Sequence, residues 1–273
     1  MLTAQQLQDI ESLQKVCESH DNIKLKLNWD MLRSRGSQEP EDFFKYESSL
    51  LVGFIGIYGF GDKVELCGMV HPDFRNNGIF TKLFQQAIEV CKNQGYERIL
   101  LNAPADSASA SEFLKKLPCI YSISEYQMKY NHSPLERSND VVLRKASSLE
   151  DKVTAIELDM MCFGMPEEAA TSFNDRILDE GTHYIIEVDG KKVGKIRVYR
   201  EQGDSWIYSF AVYPEFQGKG IGRKALTLVV LDEANHVENI YLEVEIKNER
   251  ALGLYESCGF EQFQTQDYYV YKG

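Results

Sequence analysis

Apolar residues recur at helical spacing over residues 3–20 and again over 79–93, where Ile79, Leu83, Phe84, Ala87, Ile88 and Cys91 fall on one face and Gly95 supplies a stop. Residues 49–57 and 64–70 instead read as strands. A polar, proline-containing stretch, 131–140, then interrupts the pattern. Beyond it, strands are predicted near 141–144, 183–188, 193–199 and 206–212, with a helix inside 148–162. The pairs Asp189-Gly190 and Gly203-Asp204 are placed to join the middle strands as hairpins. A helix over 220–234, a strand over 240–246, a helix over 248–257 and two short strands near 260 and 268–271 complete the pattern. The order predicts an α/β protein with a mixed sheet and helices on both faces.

The two halves repeat each other at a constant offset of 142 residues. Gly61 and Asp62 fall on Gly203 and Asp204, Val70 on Val212, Pro72 on Pro214, Phe74 on Phe216, Gly78 on Gly220, Ile79 on Ile221, Leu100 on Leu242, and Tyr126 on Tyr268. The correspondence runs without a gap across most of each half, so the chain is expected to hold two copies of one fold, divided as 1–135 and 136–273.

The strand at 206–212 leads through Tyr213, Pro214, Glu215 and Phe216 into Gln217, Gly218, Lys219, Gly220, Ile221, Gly222 and Arg223, and then into an amphipathic helix. Glycines let a backbone approach a ligand closely, and a helix N-terminus presents unpaired amide N–H groups with partial positive charge. Such a turn suits a phosphate. It does not match a Walker loop, because Gly218-Lys219 is followed by Gly220 rather than Ser or Thr. It does not match a dinucleotide fingerprint either, because it follows the fourth strand of its half.

Phe210, Ala211, Val212, Tyr213, Pro214 and the loop, with the later Leu242-Glu243-Val244, Asn248 to Ala251, Leu254-Tyr255-Glu256 and Gly259-Phe260, closely resemble the GNAT superfamily of N-acetyltransferases. Around 242–269 the chain is most similar to the bacterial ribosomal-protein N-terminal acetyltransferases. The resemblance implies two tandem GNAT folds, each a mixed, splayed central sheet flanked by helices. It implies acetyl-CoA as co-substrate, with its pyrophosphate on residues 217–223 and its pantetheine between strands 206–212 and 240–246, paired with the backbone of Phe210 and Val212. Asn248 opens a helix, where it can cap, contact the cofactor, or do both.

Acetylation of an ammonium requires a base, and a departing thiolate is best met by a weak acid. Glu243 is the candidate base, with Glu245 two residues later on the same strand face as the other choice. Tyr255 stands where the family places its general acid. At the offset of 142, Leu101 replaces Glu243, Asp106 replaces Asn248, Phe113 replaces Tyr255 and Phe80 replaces Gly222. The first copy is therefore expected to be inactive, and only the second to catalyse transfer to a primary amine in a ternary complex. The alternative is a non-catalytic acyl-CoA sensor or assembly module. In this fold the acceptor, a small amine or a peptide N-terminus, is expected between residues 163–175 and a terminal hairpin at 261–269.

Composition narrows this picture. Of 273 residues, 26% are charged and the formal net charge is -12, which speaks against nucleic acid and favours a cationic acceptor. Residues 140–273 carry 24 acidic and 15 basic side chains, so most of that field belongs to the second half. The six cysteines lack metal-ligand spacing and are expected to be reduced thiols, with no metal bound. No leader pattern or membrane span is evident at the N-terminus or elsewhere, so a cytoplasmic location without membrane association is expected. Two copies in one chain can stand in for a homodimer interface, so a monomer is expected.

Overall fold

The computed structural model describes residues 1–36, 40–178, 181–201 and 203–273. The first half contains α1 (Ala4–Asp21), α2 (Trp29–Arg33), β1 (Asp42–Glu47), β2 (Leu50–Phe60), β3 (Lys63–Val70), α3 (Ile79–Asn93), β4 (Arg98–Pro104), α4 (Ala108–Leu114) and β5 (Cys119–Tyr130). The second contains β6 (Val142–Lys145), α5 (Leu149–Phe163), α6 (Glu167–Arg176), β7 (Thr182–Val188), β8 (Lys191–Glu201), β9 (Asp204–Val212), α7 (Ile221–Glu233), β10 (Asn239–Glu245), α8 (Glu249–Glu256) and β11 (Phe260–Tyr271).

Local chemistry explains most boundaries. Thr3 and Gln6 form a capping box at the start of α1, and Ser148 and Asp151 form another at the start of α5. In α3 the predicted face is the buried one, with Leu83, Phe84, Ala87, Ile88 and Cys91 inside. Asp189 and Gly190, at φ 49 and 73, make the turn between β7 and β8. The second hairpin differs from the sequence reading. Asp204 is already in β9, paired with Glu201, and residue 202 between them lies outside the described residues.

Three further expectations need correction. Residues 163–175 are not simply a loop, because Glu167–Arg176 form α6, with Ala170 and Asn174 buried. The two short final strands, and with them the terminal hairpin, are one 12-residue strand, β11. Burial alternates over Gln264–Tyr268, with Gln264, Gln266 and Tyr268 inside, as in a ladder strand. Strands β1, β4 and β5 and the short helices α2 and α4 have no counterpart in the sequence reading, although β1 pairs with β2 over Asp42–Glu47.

The chain folds into two compact units, of which the first is built from two separate segments. Unit 1 comprises Met1–Ser124 and Gln264–Gly273, and unit 2 comprises Glu125–Phe263. In unit 1 β4 pairs antiparallel with β11, placing Asn102 opposite Tyr268. In unit 2 β10 pairs antiparallel with β5, placing Val244 opposite Tyr126. These registers are equivalent at the 142-residue offset, so each unit is completed by the final strand of the other repeat. Backbone polar groups of β4 and β10 find the same partners that a private final strand would have offered.

Unit 1 buries one layer of Leu83, Phe84, Ala87 and Ile88 against Ile57, Leu66 and Leu101, and a second of Ile10, Leu13 and Leu32 against Phe54, Tyr58 and Met69. Unit 2 packs Leu226, Val229 and Val230 of α7 on Ile196, Ile207, Ile240 and Leu242. Cys17, Cys67, Cys91 and Cys258 are buried, Cys119 and Cys162 partly so, and all six are free thiols. Among the described residues no helix is long and apolar enough to cross a membrane.

Asp151 ties the start of unit 2 together. Its carboxylate is 1% exposed and accepts from Arg144 Nη1 and Nη2 at 2.9 and 2.8 Å and from the backbone N–H of Ser147 and Ser148, with Lys192 at 2.9 Å. The Arg144 hydrogen bonds above all hold its pKa far below the usual carboxylate range. A depressed folded pKa contributes stability that is complete above the unfolded value of about 4 and is lost progressively as pH falls from there through the folded value. Asp151→Asn is expected to lower stability at pH 7 by about 2 kcal/mol, and urea unfolding at a series of pH values below about 4 should show the difference between variant and parent shrinking progressively as pH falls toward the folded pKa.

Candidate active site

β9 and β10 run parallel and are paired from Asp204 and Asn239 only as far as Ile207 and Leu242. Past that point each strand keeps a ladder on its outer side, β10 with β5 and β9 with β8. The β9 ladder is irregular there. Tyr208 faces Arg197 and Ala211 faces Lys195, so Ser209 and Phe210 together oppose Ile196. Ser209 takes φ 47, a left-handed value uncommon for a residue with a side chain. The counterpart β3 runs against β2 in unbroken register from Val70 to Lys63. The bulge therefore distinguishes the second copy from the first.

After β9 the chain passes a short turn, Pro214–Phe216, and enters the glycine loop. Gly218 and Gly220 have φ 76 and 77, conformations that cost a non-glycine residue about 1 kcal/mol or more. Gln217 secures the loop, donating from Nε2 to the Val212 carbonyl at 2.8 Å and accepting on Oε1 from Arg250 Nη1 at 2.9 Å. Lys219 Nζ lies 5.3 Å from the centre of the Phe216 ring. With exposed Arg223, these side chains place three cations around the start of α7, whose first N–H groups have no intrahelical partner.

Phe210 meets both the loop and the predicted acid. Its ring centre is 6.5 Å from that of Tyr255, and a Cβ at Gly222 would lie 3.6 Å from Phe210 Cζ and 3.4 Å from Leu254 Cδ2. Tyr255 packs also on Phe260, and burial, with a smaller contribution from Cys258, pushes its phenol up to about 12. It stays protonated at neutral pH, as a proton donor must.

Glu243 is half-buried on β10, just past the last β9 pair, and its Oε1 accepts from Gln127 Nε2 on β5 at 2.9 Å. Glu245, the other choice, is exposed. Asn248 caps α8, its Oδ1 accepting from the Ala251 N–H at 3.1 Å. Gln127 and Arg250 escaped the sequence reading. Arg250 lies inside the recognised 248–251 stretch, but Gln127 belongs to the first repeat's last strand, and only the strand exchange brings it to Glu243. A third missed feature is the buried pair Lys195–Asp159, 2.6 Å apart and joined by Asn174, on the strand that carries the bulge's partner. Burial lowers the Lys195 pKa, while Asp159 opposes that shift.

The model of the Acetyltransferase (GNAT) family matches residues 5–117 and 153–260. The chain belongs to the GNAT acetyltransferase family. An N-alpha-acetyltransferase of Sulfurisphaera tokodaii is 30% identical over 108 residues, 34% of this chain and 65% of that protein, so the match spans just under two thirds of the relative. A putative [ribosomal protein bS18]-alanine N-acetyltransferase of Bacillus subtilis is 27% identical over 115 residues, 41% of this chain and 76% of the relative. A tandem GNAT protein from the clavulanic acid biosynthesis pathway superposes with a TM-score of 0.71 at 16% identity, covering 97% of this chain and 94% of that one. The tandem GNAT fold expected from the sequence is thus the fold observed.

The two GNAT copies exchange an aromatic residue. Where unit 2 has Phe210 on the strand and Gly222 on the helix, unit 1 has Gly68 on the strand and Phe80 on the helix. A Cβ at Gly68 would come within 3.0 Å of Phe80 Cε2, and Phe80 packs edge-on against Phe113 at 4.8 Å. The same space is filled from opposite walls. Gly222→Phe is expected to lower the thermal midpoint by several degrees, as overpacking costs about 1–3 kcal/mol. Adding Phe210→Gly should recover most of that loss, and an additive double variant would disprove the exchange.

Proposed function

We propose that unit 2 is an acetyl-CoA-dependent N-acetyltransferase acting on a primary amine by direct attack in a ternary complex. The observation that carries this reading is the packing of Tyr255 on Phe210 beside Gly222, which puts an un-ionised phenol next to the strand bulge and the glycine loop. The loop's donor set fits a pyrophosphate: left-handed Gly218 and Gly220, open space at Gly220, and the cations Lys219, Arg223 and Arg250. Gln217, Ile221 and Gly222 complete that cradle. Phe210, Ala211 and Val212 form the wall for the pantetheine arm, although the Val212 carbonyl already accepts from Gln217. When bound, acetyl-CoA supplies the activated thioester.

In this reading Glu243 takes a proton from the acceptor ammonium, and Gln127 orients the carboxylate by donating to Oε1. Tyr255 holds its proton until the CoA sulfur departs. Asn248 serves as helix cap, fixing the start of the helix that carries Tyr255. Of the two relatives above, one is named an N-alpha-acetyltransferase and the other a putative ribosomal-protein alanine N-acetyltransferase, which supports a peptide N-terminus as acceptor. The excess of acidic side chains in residues 140–273 is compatible with any cationic amine.

Tyr255→Phe is expected to reduce kcat by about 100-fold while acetyl-CoA affinity changes little, and Glu243→Gln to reduce it comparably. Free-thiol release measured with acetyl-CoA and a panel of amines and short peptides checks both. Acetyl-CoA binding with no acceptor-dependent thiol release would overturn the enzyme reading in favour of a sensor.

A further inference from the structure

Unit 1 contains a cleft of about 780 Å³ that opens where the β3–β4 ladder stops, after Leu66 and Leu101. Its place corresponds to the splay between β9 and β10, and the loop beside it keeps the same backbone form, with Asn76 and Gly78 at φ 62 and 72. The side chains do not match. Lys219, Arg223 and Arg250 of unit 2 correspond to Asn77, Thr81 and Ala108. The remaining loop cation, Arg75, is held by Asp21 through two hydrogen bonds of 2.9 and 2.8 Å. Leu66, Met69, Phe80, Leu101 and Phe113 line the cleft, so its walls are apolar.

Charge argues against a pyrophosphate here. Around the cleft two acids, Asp21 and Glu112, stand against Lys26, Arg75 and Lys116, and Lys26 already donates to the Tyr268 hydroxyl. A ligand carrying several negative charges would leave most of them uncompensated. One polar feature points instead to a neutral partner. Asn102, which replaces Val244 of unit 2, lines the cleft, and its Nδ2 is buried without a hydrogen-bond partner. A buried donor left unmatched is unfavourable, and a ligand carbonyl would satisfy it. Leu101 and Phe113, at the positions of Glu243 and Tyr255, have no group that could move a proton.

We infer that the unit 1 cleft binds an uncharged, largely apolar ligand with one carbonyl acceptor, of the class of a medium-chain acyl amide or ester, and holds it without chemical change. The cleft volume lies within the range of small-molecule sites, about 300–1,000 Å³. This site is independent of transfer in unit 2.

Isothermal titration of the full chain with octanamide, alone and with saturating acetyl-CoA, tests the inference. One octanamide per chain is expected, with affinity unaffected by acetyl-CoA. Ala110→Trp, which fills the cleft from α4, should abolish octanamide binding and leave acetyl-CoA binding unchanged. Asn102→Leu should weaken octanamide about tenfold, the effect of losing one hydrogen bond. Absence of octanamide binding at millimolar concentration, or binding that both variants leave intact, would overturn it. So would a second acetyl-CoA per chain that Ala110→Trp removes. Failure of acetyl-CoA to bind at all would count against the reading of unit 2 and leave the octanamide result to judge the cleft.

Discussion

The early end of the β9–β10 ladder is the constraint on which the site depends. Two parallel strands in a sheet interior normally stay paired, because an unpaired backbone group away from water is costly. Here pairing stops at Ile207 and Leu242, and the cost is limited because each strand retains its outer neighbour. The bulge at Ser209 and Phe210 lies just past the last β9–β10 pair, and the β8 ladder resumes at Ala211. Phe210, Tyr255 and Gly222 meet beside that opening, and Glu243 stands at its β10 edge.

The final strands make this arrangement possible. β10 can leave β9 because β5 holds it from Tyr241 to Glu245, and β5 comes from the first repeat. In return β11, from the second repeat, holds β4. Gene duplication thus left two registers of the same design with their last members traded. Each unit's fold consequently requires residues from both halves of the sequence, including Gln127, which reaches Glu243.

Duplication also shows which parts of the plan can change independently. The loop backbone survives in both units, with left-handed residues at Asn76 and Gly78 and at Gly218 and Gly220. Lys219 and Arg223 of unit 2 have no charged counterpart in unit 1, where Asn77 and Thr81 stand. The aromatic filling is conserved as volume rather than as position, Phe80 against Gly68 in one unit and Phe210 against Gly222 in the other. A cysteine thiol donates to the strand-end carbonyl in each, Cys17 to Val70 and Cys162 to Val212. The backbone form of the loop and the aromatic filling recur in both units, whereas the side chains at the positions of Lys219, Arg223, Glu243 and Tyr255 differ.

Periodicity and glycine positions were enough to find α3, α7, β9, β10 and the loop, because those features depend on neighbours a few residues apart. The 142-residue repeat and the family followed from the same local patterns. Three features lay beyond them. The bulge has no glycine to announce it, since Ser209 occupies the left-handed position. The partner of each final strand depends on pairing between distant segments with equivalent sequences, and alternation alone cannot tell which copy a strand will join. The exchange of Gly68 and Phe80 for Phe210 and Gly222 links positions 12 residues apart on different elements, and only packing reveals that one side chain fills the space vacated by the other.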